Sequence, residues 1–184
     1  MVPPCGPWSS QKLTADREPL ALKRKLHRPL WTFTRECWDV QNKGQRLVPS
    51  ENPQTSAAFL LPEIELRPDL CKATVAQCMF GLCDPESGKL YRTRTRLDTN
   101  HPRFAEALKI GSQCSHAVEE HEPILGSTRL PDGRSVPKST WASWFTPGLA
   151  GHSVYCARDA VDAGWEEKEA LAVKTGRVKQ STGS

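Results

Sequence analysis

The chain reads Gln45-Arg46-Leu47-Val48-Pro49-Ser50-Glu51-Asn52-Pro53 where a long helical pattern gives way to a short apolar run. Upstream, residues from about 15 to 42 carry apolar side chains at helical spacing, which predicts an amphipathic helix. These apolar positions are Leu26, Leu30, Phe33, Cys37 and Val40. Pro29 lies inside the stretch and predicts a kink or a restart there. Residues 45–48 then predict a brief strand that ends where Glu51-Asn52-Pro53 begins.

Downstream of this stretch, predicted strands and helices continue to alternate. Residues 72–78 and 91–99 have the composition of strands, and Asp84-Pro85-Glu86-Ser87-Gly88 between them has the chemistry of a turn. Helices are predicted through residues 104–108, 139–145 and 149–163. An α/β domain is therefore expected.

The predicted α/β core covers residues 1–110. A loop-rich extension with C-terminal helices follows over residues 111–163, and the charged, Gly/Ser-rich residues 164–184 predict a disordered tail. Six Trp and five Phe in 184 residues need burial, although the mean hydropathy of -0.54 and 15 prolines are typical of a loop-rich domain. Trp31 and Trp38, one heptad apart on the first helix, are predicted core residues.

The sequence also indicates the cellular compartment of the protein. No run approaches the roughly 18 apolar residues of a membrane span, and the N-terminus lacks the pattern of a secretion signal. Seven cysteines at irregular spacings predict reduced thiols rather than a disulfide framework. We therefore expect a protein that does not enter the membrane and that is intracellular, either nuclear or cytoplasmic.

The positive charge lies mostly in the first part of the chain. Residues 1–50 hold nine Lys/Arg against four Asp/Glu, a local net charge of +5, whereas the whole chain carries +4. The cluster Lys23-Arg24-Lys25 with His27 and Arg28 could face the phosphates of a nucleic acid or form the solvated side of a helix.

A thiol and a carboxyl group follow two predicted structural elements in an order that suggests chemistry on cytosine. Cys5 lies in the stretch Pro3-Pro4-Cys5-Gly6-Pro7-Trp8-Ser9, and Glu51 lies at the exit of the strand predicted over residues 45–48. Carbon 5 of cytosine is a poor nucleophile until a thiolate adds to carbon 6 and turns the ring into an enamine. A carboxyl group at ring nitrogen 3 can protonate the base and stabilise the charge that addition creates.

These motifs resemble those of cytosine-5 DNA methyltransferases. The Pro-Pro-Cys loop and Glu51-Asn52-Pro53 are similar to the family's two signature motifs. The stretch Gln77-Cys78-Met79-Phe80-Gly81-Leu82, together with Thr95, Thr99 and Asn100, resembles the segment that follows Glu-Asn-Pro in phage-type and mobile-element members. The pattern over roughly residues 1–160 looks most like the methyltransferase-like domains of algal retroelement polyproteins.

The resemblance implies a fold, a reaction and a set of site residues. The implied fold is a partial Rossmann-like methyltransferase fold with a loop-rich C-terminal extension. Cys5 would be the nucleophile, Glu51 would bind the base edge, and Asn52, Arg94 and Arg96 would bind the substrate. The implied partner is a nucleic acid, with DNA favoured, and the implied methyl donor is S-adenosylmethionine.

The sequence departs from the family at the donor site. The family's Phe-x-Gly-x-Gly loop would lie upstream of Cys5, so we expect an N-terminally truncated, methyltransferase-like chain that is inactive alone. S-adenosylmethionine would then bind only if a missing N-terminal half complements the chain. The chain would be a fragment of a longer reading frame, a degenerate remnant of an element, or a half that associates with a donor-binding half. Whether it is an enzyme by itself stays open.

A second group of residues predicts a structural zinc site. Cys114, His116 and His121 are close in sequence, and Cys78 or Cys83 upstream would complete four ligands of the type that zinc prefers. The alternative is that both histidines are exposed loop residues and that Cys78 is a buried strand thiol. The competing function is accordingly a non-enzymatic, zinc-stabilised nucleic-acid-binding module of a retroelement.

Overall fold

The computed structural model describes residues 5–9, 17–67 and 69–174, without the side chains of residues 17 and 165–174. The helices are Arg17–Lys43 (α1), Pro62–Glu65 (α2), Pro102–Lys109 (α3), Lys138–Trp141 (α4) and Pro147–Lys174 (α5). The strands are Pro49–Pro53 (β1), Cys71–Ala76 (β2), Leu90–Tyr91 (β3), Arg94–Thr99 (β4), His121–Glu122 (β5), Ser127–Arg129 (β6) and Ser135–Pro137 (β7). The protein is thus a mixture of helix and sheet, which agrees with the predicted α/β class.

A three-stranded sheet holds the centre of the molecule together. Its strand order is β1-β4-β2, and β4 runs antiparallel to both neighbours, so that β1 and β2 point in the same direction. Leu97 of β4 lies opposite Glu51 of β1 and opposite Ala73 of β2. Because side chains alternate across a strand, these three residues share one face of the sheet. Two smaller sheets pair β3 with β5 and β6 with β7.

The two faces of the central sheet meet different layers. On one face, apolar strand side chains pack against α3 and α5 in the largest buried cluster. Its fully buried members are Ala73, Val75, Leu97, Phe104, Ala105, Leu108, Leu149, Cys156 and Ala160. On the other face, buried Asp98 pairs with buried Arg67, whose guanidinium lies 4.2 Å from the ring centre of Trp38 on α1. The sheet therefore lies between an α3–α5 layer and a layer that includes α1.

Helix α1 buries a different face from the one that its apolar spacing suggests. Trp31 and Trp38 are 1% and 0% exposed, which confirms them as core residues. Leu26, Phe33 and Val40 are 68%, 61% and 60% exposed on the opposite side of the helix. The large indole rings on one face outweigh the smaller side chains on the other, because burying an aromatic ring removes more apolar area from water. Pro29 lies within a continuous helix, so the expected restart is absent there.

The strand predicted over residues 45–48 begins further along the chain than expected. Gln45 has a positive φ of 52°, and the N–H of Val48 donates to the Asn100 side chain. Strand β1 instead covers Pro49–Pro53, so that Glu51 lies inside a strand and not at its exit. Proline is tolerated at both ends of β1 because, among the described strands, β1 lies at an edge of its sheet.

Other predicted boundaries also shift. The strand predicted over 91–99 divides into β3 and β4, and the one predicted over 72–78 ends at Ala76, where a 3-10 turn, Gln77–Phe80, begins. The last helix, α5, extends to Lys174 and so covers the first eleven residues of the segment whose composition predicts disorder. Residues 175–184 of that segment lie outside the described residues.

Candidate functional site

The Cys5 loop is held against α1. Cys5 precedes a single 3-10 turn, Gly6–Trp8, and its carbonyl accepts from the N–H of Trp8 at 2.8 Å. The Trp8 ring meets Trp31 edge-on with ring centres 6.3 Å apart, and Arg24 lies over the Trp8 ring while its Nε donates to the Pro7 carbonyl. The basic cluster on α1 is thus partly engaged in holding this loop. Pro3 and Pro4 of the Pro-Pro-Cys loop lie outside the described residues.

Glu51 is a buried carboxyl group at the centre of β1, only 9% exposed. Its Oε1 accepts a 2.6 Å hydrogen bond from the Thr95 hydroxyl, and Thr95 Oγ1 accepts in turn from Gln77 Nε2 at 3.1 Å. Burial raises the pKa of Glu51, and the hydrogen bond from Thr95 opposes that rise. A buried carboxyl group with a raised pKa can keep its proton and donate it to a bound base.

Cys5 and Glu51 lie close enough to influence one another. Burial is the main cause that raises the pKa of the Cys5 thiol, and the negative charge of Glu51 raises that pKa further. Two neighbouring anions repel, so the pair holds one negative charge more readily than two. A Cys5 thiolate is therefore most favourable when Glu51 carries a proton. That combination is the one required for thiol addition to a protonated cytosine ring.

The other predicted substrate-binding residues lie elsewhere. Asn52, Arg94 and Arg96 project from the opposite face of the sheet to Glu51, because they are one strand position out of phase with Glu51 and Thr95. Arg96 pairs with Asp98 at 2.6 Å and lies 3.9 Å from the ring centre of Phe59. The Asn52 amide donates to the backbone carbonyl of Glu51, and Arg94 is exposed. The structure does not bring these three side chains to the Glu51 carboxyl group.

Sequence reasoning did not assign Thr95 as the hydrogen-bond donor to Glu51, or Gln77 as the donor to Thr95. Thr95 lies two residues before Leu97, which pairs with Glu51, so strand alternation places it on the Glu51 face. The sequence carries this signal only once the pairing register of β1 and β4 is known.

The structure brings the four predicted metal ligands together. Cys78, Cys114, His116 and His121 each offer one ligand atom, and these atoms all lie within 4.8 Å of one another. Cys114 Sγ lies 3.7 Å from His116 Nδ1 and 3.5 Å from His121 Nε2. Cys83, the alternative fourth ligand, lies outside the group, and its carbonyl accepts from the Trp141 indole N–H. The cluster could therefore hold a metal ion through two sulfur and two nitrogen atoms.

One histidine of this cluster is already oriented for metal binding. His121 Nδ1 lies 2.9 Å from the carbonyl oxygen of Ala117. A carbonyl can only accept, so Nδ1 carries the proton and the lone pair of Nε2 points toward Cys114. The Glu120 carboxylate accepts from the Ala117 N–H at 2.7 Å and fixes the same turn. A hydrogen bond from the distal ring nitrogen to a carbonyl is the usual support of a metal-bound histidine.

The thiol of Cys78 needs a metal to lose its proton near neutral pH. Burial, and then its neighbour Cys114, raise the pKa of Cys78 to about 11. Zinc binds the thiolate form, so binding must release this proton. Metal affinity at this cluster is therefore expected to increase with pH.

The chain matches no protein-family model, no curated protein and no solved structure. Within the part of the chain that the structure describes, no helix has both the length and the apolar character needed to cross a membrane.

Proposed function

We propose that this chain carries the base-binding and nucleophilic part of a cytosine-5 DNA methyltransferase-like domain of mobile-element type. The observation that supports this most strongly is that the negative charge of Glu51 raises the pKa of the Cys5 thiol, although the two residues are far apart in sequence. Each group alone is common in proteins, but a thiol beside a protonatable, buried carboxyl group is the pair that addition to cytosine requires. The partner is DNA, and the protein acts inside the cell.

The proposed reaction begins with thiol addition. Cys5 Sγ, as the thiolate, forms a bond to carbon 6 of a cytosine that has left its stack, and the C5–C6 electron pair moves into the ring. Glu51 donates its proton to nitrogen 3 and becomes the carboxylate that Thr95 stabilises. Carbon 5 is then nucleophilic. Once carbon 5 has taken its substituent, it loses its original proton, the thiolate leaves carbon 6, and the nitrogen 3 proton returns to Glu51, which restores the neutral aromatic ring.

S-adenosylmethionine supplies the methyl group in the family that the motifs resemble. The sequence contains no Phe-x-Gly-x-Gly stretch, so no residue of this chain is assigned to that donor. The chemistry proposed for this chain is confined to the base, where Cys5 adds to the ring, Glu51 donates a proton and Thr95 stabilises the resulting carboxylate.

The partial Rossmann-like fold with a loop-rich C-terminal extension is part of this proposal because the motifs resemble those of the family. Both pairs of neighbouring strands in the central sheet, β1 with β4 and β4 with β2, are antiparallel, whereas a doubly wound α/β sheet pairs parallel neighbours. Ligands of such sheets bind near the carboxyl ends of the parallel strands. In the central sheet Gln77 directly follows β2, at the carboxyl end of that strand, whereas Glu51 lies at the middle of β1.

Hydrogen exchange at carbon 5 of cytosine tests this proposal without any methyl donor. Reversible addition of Cys5 lets carbon 5 take a deuteron from D₂O and lose its own proton. We expect cytosine-containing single-stranded DNA to gain deuterium at carbon 5 with the wild-type chain and with the control Cys37→Ser. Cys5→Ser should abolish the exchange, and Glu51→Gln should reduce it by about 100-fold or more. A wild-type chain that binds DNA without exchange would rule out the proposed chemistry.

The second candidate function is a zinc-stabilised nucleic-acid-binding module without catalysis. The Cys/His cluster favours it, because two thiolates and two imidazoles in a compact group suit tetrahedral zinc. We expect about one zinc per chain in protein purified without a histidine tag, and about the same in Cys83→Ser. Cys114→Ser and His116→Ala should lower the zinc content. A wild-type zinc content near zero would dismiss the metal.

A further inference from the structure

The metal cluster and the Glu51 site meet at adjacent residues. Gln77 and Cys78 are the first two residues of the 3-10 turn that directly follows β2. Cys78 offers its sulfur to the metal cluster, whereas Gln77 contacts Thr95, the hydrogen-bond donor to Glu51. Any change in the position of this turn therefore reaches both sites.

Gln77 sets the direction of the hydrogen bond that Glu51 receives. Thr95 has a single hydroxyl proton. Because the Gln77 amide nitrogen donates to Thr95 Oγ1, that proton is left for Glu51 Oε1. If the Gln77 amide were turned over, its oxygen would compete for the same proton and Glu51 would lose its donor. Gln77 Oε1 is buried and makes no hydrogen bond of its own, so nothing on that side locks the amide in place.

Backbone hydrogen bonds hold the turn on both sides of Gln77. The N–H of Gln77 donates to the Thr93 carbonyl at 2.9 Å, and the Gln77 carbonyl accepts from Leu82 at 3.2 Å. Gly81 closes the turn with a φ of 81°, a conformation that glycine adopts without strain. A metal ion would link Cys78 to the loop that carries Cys114, His116 and His121, through metal–ligand bonds of about 2.0–2.3 Å to each residue.

We propose that Gln77 is a positioning residue for Glu51, and that a metal ion bound at Cys78, Cys114, His116 and His121 holds the Gln77 turn so that the Thr95 hydroxyl is directed to Glu51. The importance of Glu51 in this inference rests on the proposed function. The hydrogen-bond relay, which runs from Gln77 to Thr95 and from Thr95 to Glu51, can be measured whether or not the chain modifies cytosine.

The test measures the pKa of Glu51 by carbon-13 NMR of its carboxyl group in the metal-loaded protein. The Thr95 hydrogen bond stabilises the carboxylate, so losing it must raise the pKa of Glu51. The nearby Cys5 thiol stays protonated over the acidic range of this titration. Gln77→Leu removes the donor that orients the Thr95 hydroxyl but leaves its proton able to bind Glu51, so we expect the pKa of Glu51 to rise by only roughly 0.3 of a pH unit. Thr95→Val should raise it by at least as much.

Gln113→Leu is the matched control. Gln113 also donates its side-chain amide to the β2 region, to the Thr74 carbonyl at 3.2 Å, but it does not touch Thr95. The control should leave the pKa of Glu51 unchanged. An equal rise in both glutamine variants, or no rise in Gln77→Leu, would overturn the positioning role.

The metal's part is tested by chelation. Removal of the metal should raise the pKa of Glu51 in the wild-type protein but not in Gln77→Leu, where the relay is already broken. If chelation unfolds the chain, cadmium replaces zinc, because its longer bonds to sulfur shift the turn without removing the site. An unchanged wild-type value would overturn the metal's role. Cytosine exchange is measured separately, so its failure would remove the proposed function and leave this relay standing.

Discussion

At the scale of single residues, a buried carboxyl group beside a half-buried thiol is the most consequential feature of the molecule. Burial raises the pKa of both Cys5 and Glu51, and the negative charge of Glu51 makes the Cys5 thiolate more costly. The Cys5 thiolate is therefore favoured when Glu51 is neutral. This coupling depends on a negative charge at Glu51, and removing that charge tests it.

Replacing Glu51 by Gln should make the Cys5 thiol more reactive. The substitution removes the negative charge that raises the pKa of Cys5, so that pKa falls and the thiolate fraction at pH 8 increases. We expect peptide-level mass spectrometry to show that iodoacetamide alkylates Cys5 about two- to fivefold faster.

Cys71 provides the internal control in the same protein. Burial and the charge of Asp69 raise the pKa of Cys71, and Glu51 does not contribute to that rise. Its alkylation rate should be unchanged by Glu51→Gln. A Cys5 rate that is unchanged, or that changes in parallel with that of Cys71, would contradict the coupling.

At the scale of elements, α1 carries two apolar faces, of which only one is buried. Its tryptophan face packs on the Cys5 loop and on Arg67, whereas the face with Leu26 and Phe33 is exposed. The helical period was predictable from the sequence, and so was the burial of both tryptophans. The exposure of the other face was not, because spacing alone gives equal weight to every apolar residue.

Substitutions on the two faces of α1 should differ sharply in cost. Trp38→Ala removes a fully buried indole that contacts Arg67, and we expect it to lower the free energy of unfolding by about 3–5 kcal/mol. Phe33→Ala removes an exposed ring and should cost no more than about 0.5 kcal/mol. Urea denaturation measures both. Similar losses for the two variants would mean that the outer face is also buried in solution.

At the scale of the whole molecule, the metal cluster ties the end of β2 to the loop over residues 111–122. That loop carries few apolar side chains, and its Val118 is 68% exposed, so little hydrophobic burial holds it in place. A metal would join Cys78 to ligands more than thirty residues away along the chain. Such a cross-link would compensate for a small apolar core in a proline-rich domain.

The stability that the metal confers should increase with pH. Without metal, the pKa of Cys78 is raised to about 11, so this thiol is protonated below that value and binding releases its proton. Zinc affinity should therefore rise by about tenfold per pH unit from this proton alone. Competition with a chromophoric chelator between pH 6.5 and 8 measures the slope. An affinity independent of pH would show that Cys78 is not a ligand, and Cys83→Ser should reproduce the wild-type slope.

The sequence by itself determined the residue types of both sites. It indicated the thiol and the carboxyl group, three metal ligands with two candidates for the fourth, and the mixed α/β class, because these follow from side-chain chemistry and local periodicity. Strand boundaries were less predictable. Residues 45–48 have strand composition, but β1 begins at Pro49 because its pairing with β4 decides where the strand lies.

Only the tertiary structure decided which of these groups meet. The register of β1 against β4 places Thr95 beside Glu51 and turns Arg94 and Arg96 to the other face of the sheet. The folding of the loop over residues 111–122 onto the end of β2 selects Cys78 rather than Cys83 as the fourth ligand. Contacts between distant segments depend on register and packing, and a shift of one residue in a strand would reverse every face.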